Sequence, residues 1–247
     1  MEPIKYVCSL GALCFSAELL KRNKLKKCSY PFDWVFSTPN MIASCLEDDF
    51  KLFLDKSHHK SVTYYDKPKS THTYYITHFF EGNTGCTIFN HHDITRQDDY
   101  YYFERCIYRF RNLLTSTEHK LFILSHHNNC TFASEEINML NHKLKSYTTN
   151  YDILVINHKE SSKLYHTVTK YENITYLTLY ASQNIGMQLK DNKHNQYLDN
   201  ILLSLYTFEV IEYPHASPSS SLLSSPAPSA TRPPDRRWVR LLPQRPR

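Results

Sequence analysis

Continuous apolar runs alternate along this chain with segments of helical periodicity. The runs Lys120–Ser125 and Tyr151–Asn157 are typical of strands that are buried on both faces of a sheet. Ser134 begins a helix between them, which we expect to end near Lys145. Strand, helix and strand form a βαβ unit, so the pattern predicts an α/β fold with a largely parallel central sheet flanked by helices.

The clearest helical periodicity lies just before this unit. Apolar residues spaced i, i+3, i+4, i+7, i+10 and i+11 run from Phe103 to Leu114 and predict the buried face of a helix. Thr38 followed by Pro39 is an N-cap and a first helical residue, which predicts another helix through Leu46. The other predicted elements are strands at Lys5–Leu10, Ser61–Tyr65, Thr73–Phe80, Cys86–Asn90 and Thr175–Tyr180, helices at Leu13–Asn23 and Leu198–Tyr206, and an ordered loop at Ser29–Phe36.

The C-terminal residues differ in composition from the rest of the chain. Residues 216–247 contain seven of the twelve prolines and six arginines, but no Lys, Ile, Asn or Tyr. The absent types have AT-rich codons and the enriched types GC-rich ones, so a frameshifted or fused end is one explanation and a natural Ser/Pro/Arg-rich tail is the other. Both explanations predict disorder. We therefore expect a single domain at residues 1–213 and a disordered tail at residues 214–247.

Charge and glycine content exclude several classes of partner and cofactor. The net charge of +5 resides in residues 216–247, so residues 1–215 are neutral overall and give no electrostatic reason to expect nucleic acid. The basic run from Lys21 to Lys27 is interpreted as the solvated end of a helix. With four glycines and no Gly-rich phosphate-binding motif, the chain predicts neither a dinucleotide fold nor a P-loop, and we expect no cofactor.

The seven cysteines indicate a reducing environment. They contain no CxxC pair, which argues against a zinc knuckle or a thioredoxin motif. The apolar stretch from Tyr6 to Phe15 lacks the basic and cleavage regions of a secretory signal, and no run reaches transmembrane length. We therefore expect free thiols, a cytoplasmic location (the host cytoplasm if the protein is viral) and no membrane partner.

One cysteine lies where chemistry is expected. The segment from Ser9 through Gly11 to Cys14 leads from a predicted strand into a predicted helix. Backbone N–H groups and the positive end of the helix dipole at that point lower a thiol pKa and favour the thiolate. Cys14 is therefore a candidate nucleophile, with Ser9 and Gly11 shaping the turn. Alternatively, it is a small core residue, because free cysteines are commonly buried.

A cysteine nucleophile needs a base close in space, and His91-His92-Asp93 is the best candidate for one. These residues follow a predicted strand, and sites in α/β proteins gather at strand ends. Either histidine could accept the thiol proton while Asp93 orients the ring. The alternative interpretation is a polar loop without catalytic function.

Two further groups are ambiguous. His126 and His127 also follow a strand, and with His91, His92, Asp93 and Cys14 they could bind a transition metal, although no metal-type spacing supports this and we expect none. Asp33 could orient a catalytic group, but capping backbone N–H groups is the more common role of an aspartate in a turn. Phe32 and Trp34 are expected to anchor this turn on the domain.

These motifs together resemble the DUF1796 family, which is named "putative papain-like cysteine peptidase" and occurs in bacteria and large DNA viruses, sometimes beside glycosyltransferases. The resemblance spans roughly residues 4–205. Its carriers are Ser9-Leu10-Gly11 with Cys14, Leu25, Ser29-Tyr30-Pro31-Phe32-Asp33-Trp34, Phe89-Asn90-His91-His92-Asp93, the helix with Phe103, Arg105, Arg109 and Phe110, and the strand Lys120–Ser125.

The resemblance implies that Cys14 is the nucleophile and that His91 or His92 is the general base. A papain-like order places an Asn or Asp after the histidine, for which Asp93 and Asp152 are candidates. Papain-like domains pack the cysteine helix against an antiparallel sheet, whereas the periodicity here predicts parallel strands. We follow the periodicity for the fold and the resemblance for the site.

Three functions are compatible with these observations. The first is a cysteine-dependent hydrolase or acyl transferase that acts on a peptide or another acyl substrate. The second is a non-catalytic or glycosyltransferase-associated module that binds an anionic group or a sugar-nucleotide at the Ser9–Cys14 turn. The third is an interaction protein without a small-molecule site. The sequence motifs favour the first.

Overall fold

The computed structural model describes residues 2–12, 14–64, 67–80, 87–126 and 131–209. The side chains of residues 63, 64, 67 and 68 are outside this description. The strands are β1 (Tyr6–Gly11), β2 (His59–Tyr64), β3 (Lys67–His72), β4 (Lys120–His126), β5 (Tyr151–Glu160), β6 (Tyr165–Tyr171) and β7 (Ile174–Ala181). The helices are α1 (Cys14–Arg22), α2 (Pro39–Glu47), α3 (Thr73–Phe79), α4 (Gln97–Thr115), α5 (Ser134–Lys145) and α6 (Asn192–Leu205), with a short 3₁₀ turn at Lys56–His58.

The central sheet has five strands in the order β1-β4-β5-β7-β6. β1, β4, β5 and β7 are mutually parallel, and β6 pairs antiparallel to β7 at the edge. β2 and β3 form a separate antiparallel hairpin. The predicted α/β fold with a largely parallel sheet is therefore confirmed. All described residues belong to one compact unit.

Helices cover both faces of the central sheet, because its inner strands are apolar on both sides. On one face α1 and α6 pack against Leu121, Ile123, Leu154 and Leu177. On the other face α2, α3, α4 and α5 contribute buried side chains to one apolar cluster with alternate residues of the same strands, including Phe122, Leu124, Ile153 and Val155. The alternation of side chains along a strand thus divides the core into two layers.

The larger layer is built from aromatic rings. The Phe110 ring on α4 makes edge-to-face contacts with Phe32, Phe50 and Phe122 at centroid distances of 6.0, 5.8 and 6.4 Å. Phe32 belongs to the Pro-Phe-Asp-Trp turn and is fully buried, so it anchors that turn on the domain as expected. These rings connect the site loops to the main core.

Most predicted elements agree with the structure within a few residues, although α6 begins at Asn192, six residues before the predicted Leu198. α4 buries all six residues of the predicted apolar face, and α5 has the expected bounds. At the start of α2 the Thr38 hydroxyl accepts a hydrogen bond from the Met41 N–H over 3.1 Å, and Pro39 is the first helical residue. Local capping chemistry and helical periodicity therefore located these helices correctly.

The region between Ser61 and Asn90 was predicted less well. Thr73–Phe80 is not a strand: Thr73–Phe79 forms α3, because the His72 ring accepts the Tyr75 N–H (3.3 Å) as an N-cap. The strand preceding it, β3, was missed, and Cys86–Asn90 is not a strand but contributes isolated bridges at Phe89. Tyr65 and Cys86 lie outside the described residues. β-branched and aromatic residues favour strands in general, but here capping and ring packing outweigh that preference.

The basic run, strand β6 and the C-terminal tail are the other parts of the chain to compare with the sequence predictions. The basic run is not simply solvated: Arg22 pairs with Asp199 of α6 (2.7 Å), and Lys26 pairs with the buried Asp33. The edge strand β6 was missed, since most of its residues are exposed and it lacks an apolar face. The predicted tail at residues 214–247 lies outside the described residues. Within the described part of the chain, no helix is long and apolar enough to span a bilayer.

The aromatic layer predicts which substitutions destabilise the fold. Phe110→Ala should lower the free energy of unfolding by about 3–5 kcal/mol, because it removes a fully buried ring that contacts four others. Tyr108→Ala on the same helix is the control, since Tyr108 is 63% exposed and its loss should change stability by less than about 0.5 kcal/mol. Urea denaturation followed by circular dichroism measures both. Equal losses would contradict the packing described.

Candidate active site

Buried hydroxyl groups hold the turn between β1 and α1. Ser9 Oγ and Ser16 Oγ lie 2.7 Å apart, and the Gly11 N–H donates to Ser9 Oγ over 3.3 Å. Ser16 Oγ donates to the Gly11 carbonyl (2.9 Å), and the Ala12 N–H donates to the Ser125 carbonyl on β4 (3.1 Å). Ser9 and Gly11 therefore fix the path by which the chain enters α1.

Gly11 is required here for two physical reasons. Its φ of +94° lies in a region that L side chains rarely adopt. A Cβ at this position would also overlap Ser37 Oγ and would lie 3.5 Å from the Val35 carbonyl. Ser37 Oγ in turn donates to the Leu10 carbonyl over 2.7 Å. The segment after the Pro-Phe-Asp-Trp turn is thus pressed directly against the β1–α1 turn.

Cys14 is the first residue of α1, as its motif predicted, but its thiol is buried. Its residue is 6% exposed, and this burial raises the pKa of the Cys14 thiol to about 11. The residue's own backbone N–H and the positive charge of Lys69 act in the opposite direction, and Glu18 adds to the increase. The expectation of a lowered pKa is therefore wrong, because desolvation of the thiolate outweighs the local positive field.

The thiol nevertheless has a base in contact with it. Cys14 Sγ lies 3.0 Å from His91 Nε2, although the two residues are 77 positions apart in the sequence. The His91 ring is exposed and makes an edge-to-face contact with Trp34 at a centroid distance of 5.7 Å. Trp34 and Cys14 thus contact the same imidazole ring.

The hairpin strand β3 positions the loop that carries His91. The buried Ser70 pairs with Phe89 through backbone hydrogen bonds, one of them 3.0 Å long. Ser70 Oγ donates to the His92 carbonyl (3.2 Å) and accepts the Ile94 N–H (3.0 Å). One hydroxyl group therefore holds the backbone on both sides of Asp93, two residues after His91.

His92 and Asp93 have other partners in this loop. His92 Nδ1 lies 2.7 Å from Asp99 Oδ1, and the His92 ring stacks on Tyr102 at 4.4 Å. The Asp93 carboxylate is buried and accepts hydrogen bonds from Ser61 Oγ (2.8 Å) and Thr95 Oγ1 (2.6 Å). These contacts give both residues a structural role in holding the loop against α4 and β2.

A lysine from the hairpin also reaches the site. Lys69 Nζ lies 2.5 Å from Asn90 Oδ1, the side chain that immediately precedes His91. Its positive charge favours the thiolate form of Cys14 and lowers the thiol pKa relative to burial alone. Lys69 is therefore part of the electrostatic environment of the thiol.

Asp33 stabilises the Pro-Phe-Asp-Trp turn, of which it is a member. Its buried carboxylate accepts the Tyr30 N–H over 3.0 Å and pairs with Lys26. Burial raises the pKa of the Asp33 carboxyl, whereas Lys26 and the Tyr30 N–H oppose that increase. The expected capping role is thus the observed one, with an ion pair that the sequence pattern did not indicate.

The remaining candidates do not join this cluster. Asp152 lies near the start of β5 and contacts His119 over 3.0 Å. It pairs in register with Leu121, whereas Gly11 pairs with Leu124, so Asp152 lies near the opposite end of the strands. His126 packs on Phe132, and His127 lies outside the described residues. Within the described residues, no group of three or more His, Cys, Asp or Glu side chains is arranged to hold a metal.

Three residues of this region were missed by sequence reasoning, namely Lys69, Ser70 and Asn90. Asn90 was within a quoted motif, but it was treated only as part of a strand. Lys69 and Ser70 lie in β3, which was not predicted, and nothing in their sequence distinguishes them from the polar residues of a surface loop, although Ser70 is buried in the structure. The prediction of a hairpin with one strand on each side of residues 65 and 66 would have placed Lys69 and Ser70 in a strand.

The structure thus defines a class: an α/β protein with a cysteine–histidine pair at the N-terminus of a helix that follows the first strand. A family model described as "putative papain-like cysteine peptidase (DUF1796)" matches residues 5–161, and the chain belongs to this family. The match includes Cys14 and His91 but ends short of the 4–205 span that the motifs suggested. Comparison with curated proteins gives no match, and comparison with solved structures gives none.

The turn geometry predicts that Gly11→Ala is more damaging than the same change at Gly186. Both glycines have positive φ, +94° and +102°, but a Cβ at Gly186 would meet no atom within 4 Å. Gly186→Ala should lower the free energy of unfolding by about 1–3 kcal/mol from backbone strain alone. Gly11→Ala should cost at least about 1 kcal/mol more from the overlap with Ser37. Chemical denaturation measures both, and equal costs would contradict the close approach.

The position of Lys69 predicts an electrostatic effect on Cys14. Lys69→Met should slow alkylation of Cys14 at fixed pH several-fold, because removal of the positive charge raises the thiol pKa further. Lys60→Met on the exposed part of β2 is the charge-matched control and should leave the rate unchanged. Asn90→Ala keeps the charge but loses the hydrogen bond, so an equal effect of Asn90→Ala would assign the result to loop position instead.

Proposed function

We propose that this protein is a cysteine-dependent hydrolase of peptide or related acyl bonds, with Cys14 as nucleophile and His91 as general base. The observation that carries the proposal is the 3.0 Å distance between Cys14 Sγ and His91 Nε2. Membership of a family described as cysteine peptidases supports the same reaction class. A nucleophile in hydrogen-bond contact with a base is the minimal arrangement for covalent catalysis.

In the proposed reaction the Cys14 thiol is protonated in the resting state. Burial raises the Cys14 pKa to about 11, so a thiolate forms at neutral pH when His91 Nε2 accepts the proton. For this, His91 must carry its own proton on Nδ1 before the reaction. Sulfur then bonds to the acyl carbon, the bond from that carbon to the leaving group breaks, and the protonated ring donates its proton to the departing group. Water, deprotonated by His91, hydrolyses the resulting thioester.

The helix start would supply stabilisation for the oxyanion. The backbone N–H groups of the first turn of α1 have no acceptor within the helix. They point toward its N-terminal end and carry the positive end of its dipole. The N–H of Cys14 itself favours the thiolate, and Lys69 adds a positive charge from β3. An oxyanion that forms beside Sγ would therefore lie in a positive local field.

His91 is favoured over His92 as the base because their partners differ. The Asp99 carboxylate and the Tyr102 ring hold His92, whereas His91 contacts the thiol directly. Asp93 is occupied by hydroxyl groups of Ser61 and Thr95. We therefore assign Asp93 and His92 to the support of the loop.

Alkylation of the full-length chain by iodoacetamide across pH tests the pair. His91→Gln should slow modification of Cys14 at pH 7 by about 100-fold, because the buried thiol then has no base. The rate in this variant should keep rising toward pH 11, where the thiol itself ionises. His92→Gln is the matched control. It should leave the pH dependence of the Cys14 alkylation rate unchanged, even if it lowers the stability of the fold.

Hydrolysis is tested with the same variants on a panel of peptide esters and amides, with mass spectrometry to detect an acyl group on Cys14. Cys14→Ala should abolish both the adduct and turnover. A Cys14 that reacts no faster in the native chain than in His91→Gln would overturn the proposed pair. The sugar-nucleotide alternative predicts instead that such ligands raise the melting temperature without any Cys14 adduct.

A further inference from the structure

The strand β6 (Tyr165–Tyr171) lies at one edge of the central sheet and outside the residues matched by the family model. It pairs with β7 in a regular antiparallel register from Tyr165↔Tyr180 to Tyr171↔Ile174. Among the described residues, no strand pairs with its other edge. A row of backbone N–H and C=O groups therefore faces outward along this strand.

Features that normally protect an edge strand are few in β6. The strand contains no proline, and its register with β7 shows no bulge. Lys170 is its one lysine, and its exposed side chains include two tyrosines and a valine. Tyr165, Val168 and Tyr171 are 43%, 37% and 65% exposed. Natural proteins usually cover or interrupt an edge of this kind, because a regular open edge is a template for another strand.

The sequence of β6 is nearly a palindrome. Tyr165-His166-Thr167-Val168-Thr169-Lys170-Tyr171 reads Tyr, Thr, Val, Thr, Tyr in both directions at every position except the His166 and Lys170 pair. If a second copy of this strand pairs antiparallel with its centre at Val168, then Tyr165 lies opposite Tyr171 and Thr167 opposite Thr169. Val168 lies opposite its own copy. Aromatic pairs and Thr–Thr pairs are among the favourable cross-strand pairs of antiparallel sheets.

The two faces of the strand fit the same arrangement. Tyr165 stacks on Tyr180 of β7 at 4.2 Å, and Tyr171 lies on the same face of β6 because the residues are six apart. A two-fold axis perpendicular to the sheet keeps this face continuous across both copies, so the tyrosine stacking would extend over the junction. On the opposite face His166 Nδ1 lies 2.7 Å from Tyr197 Oη of α6, which holds that ring over its own subunit.

We propose that β6 is a homodimerisation surface at which two copies of this chain join their sheets about a two-fold axis through Val168. Such an interface is isologous, since the same residues serve on both copies. A pairing of only seven residues per copy is expected to bury less area than the typical stable interface of about 1,600 Å², so we expect a reversible equilibrium that depends on concentration. This proposal is independent of the chemistry at Cys14.

Sedimentation velocity of the full-length chain, from about 1 to about 100 μM, measures the equilibrium. Val168→Lys should raise the dimer dissociation constant at least tenfold, because two ammonium groups meet on the axis. Leu203→Lys on α6 is the control: Leu203 is 51% exposed and is not one of the strand residues that would pair, so dimerisation should not change. Circular dichroism confirms that both variants remain folded.

Cysteine cross-linking tests the register. Under mild oxidation, Val168→Cys should form a disulfide between two copies, because directly opposed residues are close enough to be bridged. Lys170→Cys faces His166 of the other copy and should not link to itself. Peptide mapping identifies the 168–168 bond among the native cysteines. A monomer at every concentration, a dimer that resists Val168→Lys, or equal linking at 170 would overturn the proposal.

Discussion

The close approach of Gly11 to Ser37 is the constraint on which the site depends. No side chain fits between them, so the β1–α1 turn and the segment after the Pro-Phe-Asp-Trp turn pack directly against each other. The same segment bridges to Phe89 through Val35, and Phe89 bridges onward to Ser70 of the hairpin. The thiol and the imidazole are thereby brought together through two neighbouring backbone contacts. Their 3.0 Å distance follows from packing of the backbone rather than from a local motif.

The environment of Cys14 shows how burial and charge compete at a helix N-terminus. The dipole and the Lys69 charge favour the thiolate, but a residue that is 6% exposed loses most of the hydration that a thiolate requires. In the proposed mechanism this high pKa makes the reactivity of the thiol depend on His91. Such dependence on His91 would keep the Cys14 thiol stable toward other reagents in the resting protein.

The fold differs from what the family description would suggest. The central sheet is mostly parallel, with helices on both faces, whereas papain-like domains are expected to pack the cysteine helix on an antiparallel sheet. The order of the cysteine before the histidine is shared with that expectation. Chemistry of this kind recurs on unrelated folds, so the site and not the architecture carries the functional argument.

The sequence patterns alone were enough to predict those elements that depend only on neighbouring residues. The apolar strands β4 and β5, the periodic face of α4 and the Thr38 cap all follow from neighbouring residues, and so does the position of Cys14 at a helix start. Tertiary structure alone decided the rest. It brought His91 rather than His92 into contact with the Cys14 thiol, paired Ser70 with Phe89 and raised the Cys14 pKa. These outcomes depend on distant backbone contacts, ring packing and burial, none of which is encoded within a short window of sequence.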